Sequence, residues 1–231
     1  MTFTDKSLPA QAAHAYVAES AETTRRAADA CVTDLVRAAE SVAQTFHSGG
    51  KLFVCGNGGS AADAQHLAAE FTSTLTRDFV RPSLPAIALT TDTSFLTAYG
   101  NDFGFDGIFA RQVEGLGRRG DALLALSTSG NSQNIVRAVE TANRMGIATI
   151  LFTGLGGGKA AELATIAIKV PSKSTGHTQE AHVALYHALC AAVEDILYPG
   201  RRSNPPPAGT GLEPAPAKAR VRADVPRLQA R

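Results

Sequence analysis

Apolar residues recur along this chain with two different periods, and the periods alternate. Between 9 and 47, Ala28, Cys31, Val32, Leu35, Val36 and Ala39 fall three and four apart, the spacing that gathers side chains on one helix face. The stretch is rich in Ala, Glu and Arg and ends at His47-Ser48-Gly49-Gly50, where glycine supplies a C-terminal cap. It predicts two helices. Beyond it the pattern switches to short apolar runs: KLFVCG at 51–56, LPAIALT at 84–90, DALLALST at 121–128, ATILFTG at 148–154 and TIAIKVP at 165–171. Helical stretches separate them: GNGGSAADAQHLAAE after the first, Ser132 to about Met145 after the third, and GKAAELA after the fourth. A last helix is predicted from about Thr178 to Leu197, stopping at Tyr198-Pro199-Gly200.

Five apolar strands alternating with helices predict an α/β fold, a parallel sheet covered by helices on both faces. In such sheets ligands bind in the turns at the carboxyl ends of the strands. The chain divides into an N-terminal helical extension at 1–50, an α/β domain at 51–199 and a tail at 200–231.

Composition narrows the class. The chain has 231 residues, 44% of them hydrophobic, with no apolar run long enough to cross a membrane. Three cysteines, Cys31, Cys55 and Cys190, have neither disulfide nor metal spacing and read as buried thiols. With no basic, apolar leader at the N-terminus, the expectation is a cytoplasmic protein. The net charge of +1 is unevenly spread: residues 201–231 hold seven Lys/Arg against Glu213 and Asp224, with six prolines, and read as a disordered basic tail. The body is left slightly acidic, without a basic stripe or a helix-turn-helix with recognition residues. No nucleic-acid or membrane partner is therefore expected.

Two turns carry candidate chemistry. In GNGGS (56–60), glycines admit a ligand to the backbone, and Ser60 is placed to cap the following helix, whose N-terminus favours an anion. In STSGNS (127–132), Ser127, Thr128, Ser129 and Ser132 surround a glycine at another helix start. Hydroxyls and N–H groups without lysine or arginine suit a sugar phosphate monoester. No G-K-[ST] follows either loop, so nucleoside triphosphate hydrolysis is unsupported. His66 and Glu70, four apart, share one helix face and can meet at one divalent metal. Gln179 and His187 are eight apart, roughly 12 Å along a straight helix at 1.5 Å per residue. Either Gln179 precedes the regular helix, or a site combines residues of different chains; the interface site is favoured. His182 reads as a bystander.

Taken in order, GNGGS with His66-x-x-x-Glu70, YGNDFGFDGIFARQVEGLGRRGD (99–121), STSGNS and TQEAHVALYH (178–187) resemble the sugar isomerase (SIS) fold, and within it the bacterial phosphoheptose isomerases. The resemblance spans roughly residues 10–198. It implies a three-layer fold around a five-stranded parallel sheet, a homotetramer with active sites between subunits, zinc, and conversion of sedoheptulose 7-phosphate to D-glycero-D-manno-heptose 7-phosphate. It also implies Glu70 and His187 as the acid/base pair and His66, Glu70, Gln179 and His187 as metal ligands. Sugar-phosphate contacts fall on Asn57, Gly58, Gly59, Ser60, Asn101, Asp102, Ser127, Thr128, Ser129, Ser132 and Gln179. Two other readings share the fold: an isomerase of a different ketose phosphate, and a non-catalytic SIS protein that binds the bacterial replication initiator, which RPSLPAIALTTD (81–92) also resembles. That binder is expected to lack the Glu and His, both of which are present here.

Overall fold

The computed structural model of the protein describes residues 7–79 and 81–200. The basic tail lies outside them. The elements follow the order α1 (Ser7–His47), β1 (Leu52–Gly56), α2 (Gly59–Thr72), β2 (Ala86–Ala88), α3 (Thr93–Phe103), α4 (Ile108–Leu116), β3 (Ala122–Leu126), α5 (Gln133–Arg144), β4 (Ala148–Thr153), α6 (Gly158–Leu163), β5 (Ile166–Lys169) and α7 (Thr175–Leu197). The expected α/β architecture is present: five parallel strands in the order β2-β1-β3-β4-β5.

Because successive strand residues point to opposite faces, each of the central strands β1, β3 and β4 feeds two cores. Leu52 and Val54 of β1 and Leu124 and Leu126 of β3 pack with α1, α2 and α7. Phe53 and Cys55, with Leu123 and Ala125, pack on the other face with α4, α5 and Ala160 of α6. This makes three layers, and all three cysteines are buried free thiols. Among the described residues, no helix is long and apolar enough to cross a membrane.

The two expected N-terminal helices are one helix of 41 residues. Nothing between Pro9 and Gly49 breaks it, and Pro9 sits in the first turn, where a missing N–H costs no helical bond. Its second half, from Ala27 to Phe46, joins the sheet core, whereas residues 8–22 bury nothing fully. The edge strand β2 is shorter than its apolar run, since Pro85 bounds it and only Ala86–Ala88 pair with β1. Helices α3 and α4, with a 3-10 turn between them, occupy the segment 93–116, where sequence periodicity assigned no element.

Candidate active site

The register of the sheet brings the two ligand-type turns together. Gly56 pairs with Leu126, so β1 and β3 end at the same level, side by side. The chain continues from β1 to β2 on one side and reaches β3 on the other, which opens a crevice between their carboxyl ends. The turns are also tied directly. Asn57 donates its amide to Asn134 Oδ1 at 2.9 Å, and Asn134 returns a bond to Asn57 Oδ1 at 2.8 Å. Asn134 is buried in the first turn of α5 and was not singled out from the sequence, although it lies only two residues beyond STSGNS.

Within the second turn, Gly130 N–H donates to Ser127 Oγ at 3.1 Å and Asn131 N–H donates to Ser129 Oγ at 3.2 Å. A hydroxyl that accepts a backbone bond keeps its own O–H to donate to a ligand. Gly130 has φ +64°, and a Cβ there would run into the Gly157 carbonyl, so the turn is seated on the loop after β4. Thr128 and Ser132 are half-buried, and Ser132 is the N-cap residue of α5 with no side-chain capping bond. In the first turn, Gly58 and Gly59 are exposed. The expected Ser60 cap does not form: α2 already begins at Gly59, the N-cap position belongs to Gly58, and Ser60 is buried inside the first turn.

Helices α2 and α7 both start at the ligand edge of the sheet and lie side by side. Asp63, His66 and Glu70 share one face of α2; Gln179, Tyr186 and His187 face them from α7. Gln179 Nε2 donates to Asp63 Oδ2 at 2.9 Å, and its amide covers Gly59, where a Cβ would collide with it. The Tyr186 hydroxyl and His66 Nδ1 are 2.8 Å apart, and His66 Nε2 and Glu70 Oε1 are 3.0 Å apart. The His66 and His187 ring centres are 5.0 Å apart. Gln179 does not precede the regular helix, since α7 begins at Thr175. It meets α2 at the level of the glycine turn, and His187 meets it two turns further along.

Electrostatically the seam is half sheltered. His66 exposes 47% of its side chain and Glu70 only 17%. Burial pushes the Asp63 carboxyl up from its usual range, against the opposing effects of the Gln179 amide and His66. Burial likewise pushes the Tyr186 phenol well up, helped by Asp63, Cys190 and Glu70, so it stays protonated at neutral pH. His182 is fully buried, its ring against Phe152 and Nε2 3.3 Å from the Thr153 carbonyl, as befits a structural residue. His177 is buried beside Glu180 at 3.1 Å.

One donor atom each from His66, Glu70 and His187 lie within 4.8 Å of one another. Two imidazoles and a carboxylate are zinc-type ligands, and at zinc–ligand distances of about 2.0–2.2 Å a tetrahedral edge is about 3.4 Å. The 3.0 Å separation of His66 Nε2 and Glu70 Oε1 is already close to that. Asn101 and Asp102 lie elsewhere, exposed on α3, with the Asn101 amide donating to Asp102 at 2.8 Å.

Residues 15–154 match the SIS domain family model. The phosphoheptose isomerase of Rhodospirillum rubrum is 53% identical over 167 residues, covering 72% of this chain and 88% of its own. Among solved structures, the phosphoheptose isomerase of Neisseria gonorrhoeae superposes with a TM-score of 0.75 at 44% identity, covering 80% of this chain and 98% of the other. That of Francisella tularensis gives 0.77 at 36% identity, over 81% and 98%. The chain belongs to the phosphoheptose isomerases of the SIS-domain family and is a sugar-phosphate isomerase.

Proposed function

We propose that this chain isomerises sedoheptulose 7-phosphate to D-glycero-D-manno-heptose 7-phosphate through an enediol. The observation that carries the reading is the meeting of His66, Glu70 and His187 on the α2–α7 seam. Moving a proton between C1 and C2 needs a base for a carbon-bound proton, an acid near the carbonyl oxygen, and stabilisation of negative charge on oxygen. Glu70 and His187 act as the acid/base pair.

His66, Glu70 and His187 would hold a zinc ion, while Gln179, bonded to Asp63 and two turns from His187 on α7, would face the sugar. Bound zinc supplies Lewis-acid polarisation of the sugar oxygens. Tyr186, kept protonated by its burial, lies 2.8 Å from His66 Nδ1 and would accept a hydrogen bond from it when Nε2 faces the metal. Ser127, Thr128, Ser129 and Ser132 grip the phosphate at the start of α5, and Asn57, Gly58, Gly59 and Ser60 line the sugar. The grip orients the reacting end rather than activating it.

Asn101 and Asp102 read sugar hydroxyls across a subunit boundary in a homotetramer. Helix α3 carries them yet buries none of its own residues. The assembly works in the cytoplasm. The test is turnover of sedoheptulose 7-phosphate followed by product NMR, before and after chelation and again after zinc is returned. The reading expects the aldose product, its loss on chelation and its recovery with zinc; no heptose product from the zinc-loaded enzyme contradicts it.

A further inference from the structure

Arg81 and Glu194 form an ion pair at 2.7 Å, with each side chain only 1% exposed. A pair so deeply buried is an expensive way to stabilise a fold, because both charges lose their water; setting register is the better attested use of such pairs. The bonds of Arg81 show which register is at stake. Its Nη2 donates to the Glu70 carbonyl at 2.7 Å and its Nη1 to the Phe71 carbonyl at 2.8 Å, while Nε holds Glu194.

The last carbonyls of a helix have no partner within it and fray unless capped. Here the segment Arg81 to Leu84 caps α2. Beyond the two Arg81 bonds, Ser83 Oγ donates to the Thr72 carbonyl at 2.8 Å and Leu84 N–H to Phe71 at 3.0 Å. A cation at this end also complements the helix dipole. The gripped residue is Glu70 itself, so its main chain cannot move without breaking a charge-assisted bond. Glu194 lies two turns beyond His187 on α7. The pair therefore joins the backbone under one member of the acid/base pair to the helix that carries the other.

We propose that Arg81 is a positioning residue, with Glu194 as its anchor, that fixes Glu70 against His187 and the metal ligands. The inference rests on the proposed isomerase site. It extends the seam to three ties along two helices: Gln179 to Asp63, Tyr186 to His66, and Arg81 with Glu194 at the far end. Lysine cannot reproduce the role, since one ammonium cannot hold two carbonyls and a carboxylate in a planar fork.

The test compares wild type, Arg81→Lys and Val42→Ala, the last a core truncation in α1, which carries none of the seam's polar side chains. The readouts are zinc affinity by calorimetry, and kcat and KM for sedoheptulose 7-phosphate, well below every melting midpoint. Arg81→Lys is expected to lower kcat about 10- to 100-fold, the scale of a 1 Å misplacement, with KM within about twofold. It should also weaken zinc about 10-fold, whereas Val42→Ala lowers the melting midpoint and leaves kcat and zinc affinity within about twofold. Should Arg81→Lys fail to fold, Glu194→Gln, which keeps the shape and an accepting oxygen, carries the same comparison with a smaller loss. An Arg81→Lys enzyme with wild-type kcat and zinc affinity overturns the proposal, as does an equal loss in Val42→Ala. If wild type binds zinc without turning over the heptose phosphate, the substrate reading fails, and the zinc contrast alone decides for or against the clamp. If wild type does neither, both fall.

Discussion

Along the α2–α7 seam, polar side chains hold one another: Gln179 on Asp63, Tyr186 on His66, His66 beside Glu70. On α3, which carries the other polar motif of the proposed site, the Asn101 amide bonds to Asp102, and Phe103 exposes 74% of its surface. The seam is complete within one chain because both helices spring from the ligand edge of the same sheet and share a core. Helix α3 packs on the 3-10 turn and α4 and leaves its far side to whatever covers it. One half of the proposed site is thus preorganised by folding, and the other half is proposed to form on assembly.

The strongest way to break this contrast is His187→Gln. Removing the proposed acid/base partner on the seam should lower kcat about 10²- to 10⁴-fold, with the melting midpoint nearly unchanged because His187 is only half-buried. Normal turnover in the folded variant would move the chemistry off the seam.

Next in size is the response of the seam helix to acid. Burial lowers the His182 pKa to about 4, from the ordinary 6.5. The folded state therefore binds a proton less readily than the unfolded one. Stability is full above about pH 6.5 and declines as pH falls toward 4, by up to about 3 kcal/mol. Urea unfolding at pH 7 and pH 5 measures the loss, and His182→Gln should flatten it. A wild-type profile that is already flat between those values would remove burial of a neutral ring as the cause.

A smaller effect separates the two turns. Asn134→Ala leaves the Asn57 amide without its partner, at a cost of about 1–3 kcal/mol. It should raise KM for the sugar phosphate more than it lowers kcat, which steady-state kinetics resolves. The least effect on the protomer fold belongs to α3: Phe103→Ser should shift stability by no more than about 0.5 kcal/mol. It should nevertheless drive the assembly to smaller species by light scattering. A stable tetramer in that variant would mean that α3 is not an assembly surface.

The same contrast explains what the sequence made legible. Strand runs such as ALLAL and ATILFT declared the sheet because parallel strands are buried on both faces. The glycine turns and the His66/Glu70 spacing announced half of the seam. The single long α1 was misread as two helices, since periodicity does not distinguish a continuous helix from two in line; the lack of any Gly or Pro between Pro9 and Gly49 was the available signal. Arg81, Asn134 and Tyr186 stayed hidden because their roles depend on partners 113, 77 and 120 residues away. Asp63 was within reach, being in register with His66 and Glu70 on one helix face. The segment 93–116 resisted because its glycines at 100, 104, 107 and 115 divide it into short pieces, although Leu96 and Tyr99 of α3 and Ile108, Phe109 and Val113 of α4 do face the second core.

The central claim, that Glu70 on the α2–α7 seam performs sugar-phosphate isomerisation, is tested most directly by product NMR. Wild type and Glu70→Gln are incubated with sedoheptulose 7-phosphate under identical zinc loading. The predicted result is heptose 7-phosphate from wild type and at least about 100-fold less from a Glu70→Gln protein of unchanged fold. Equal product from the two proteins would contradict it.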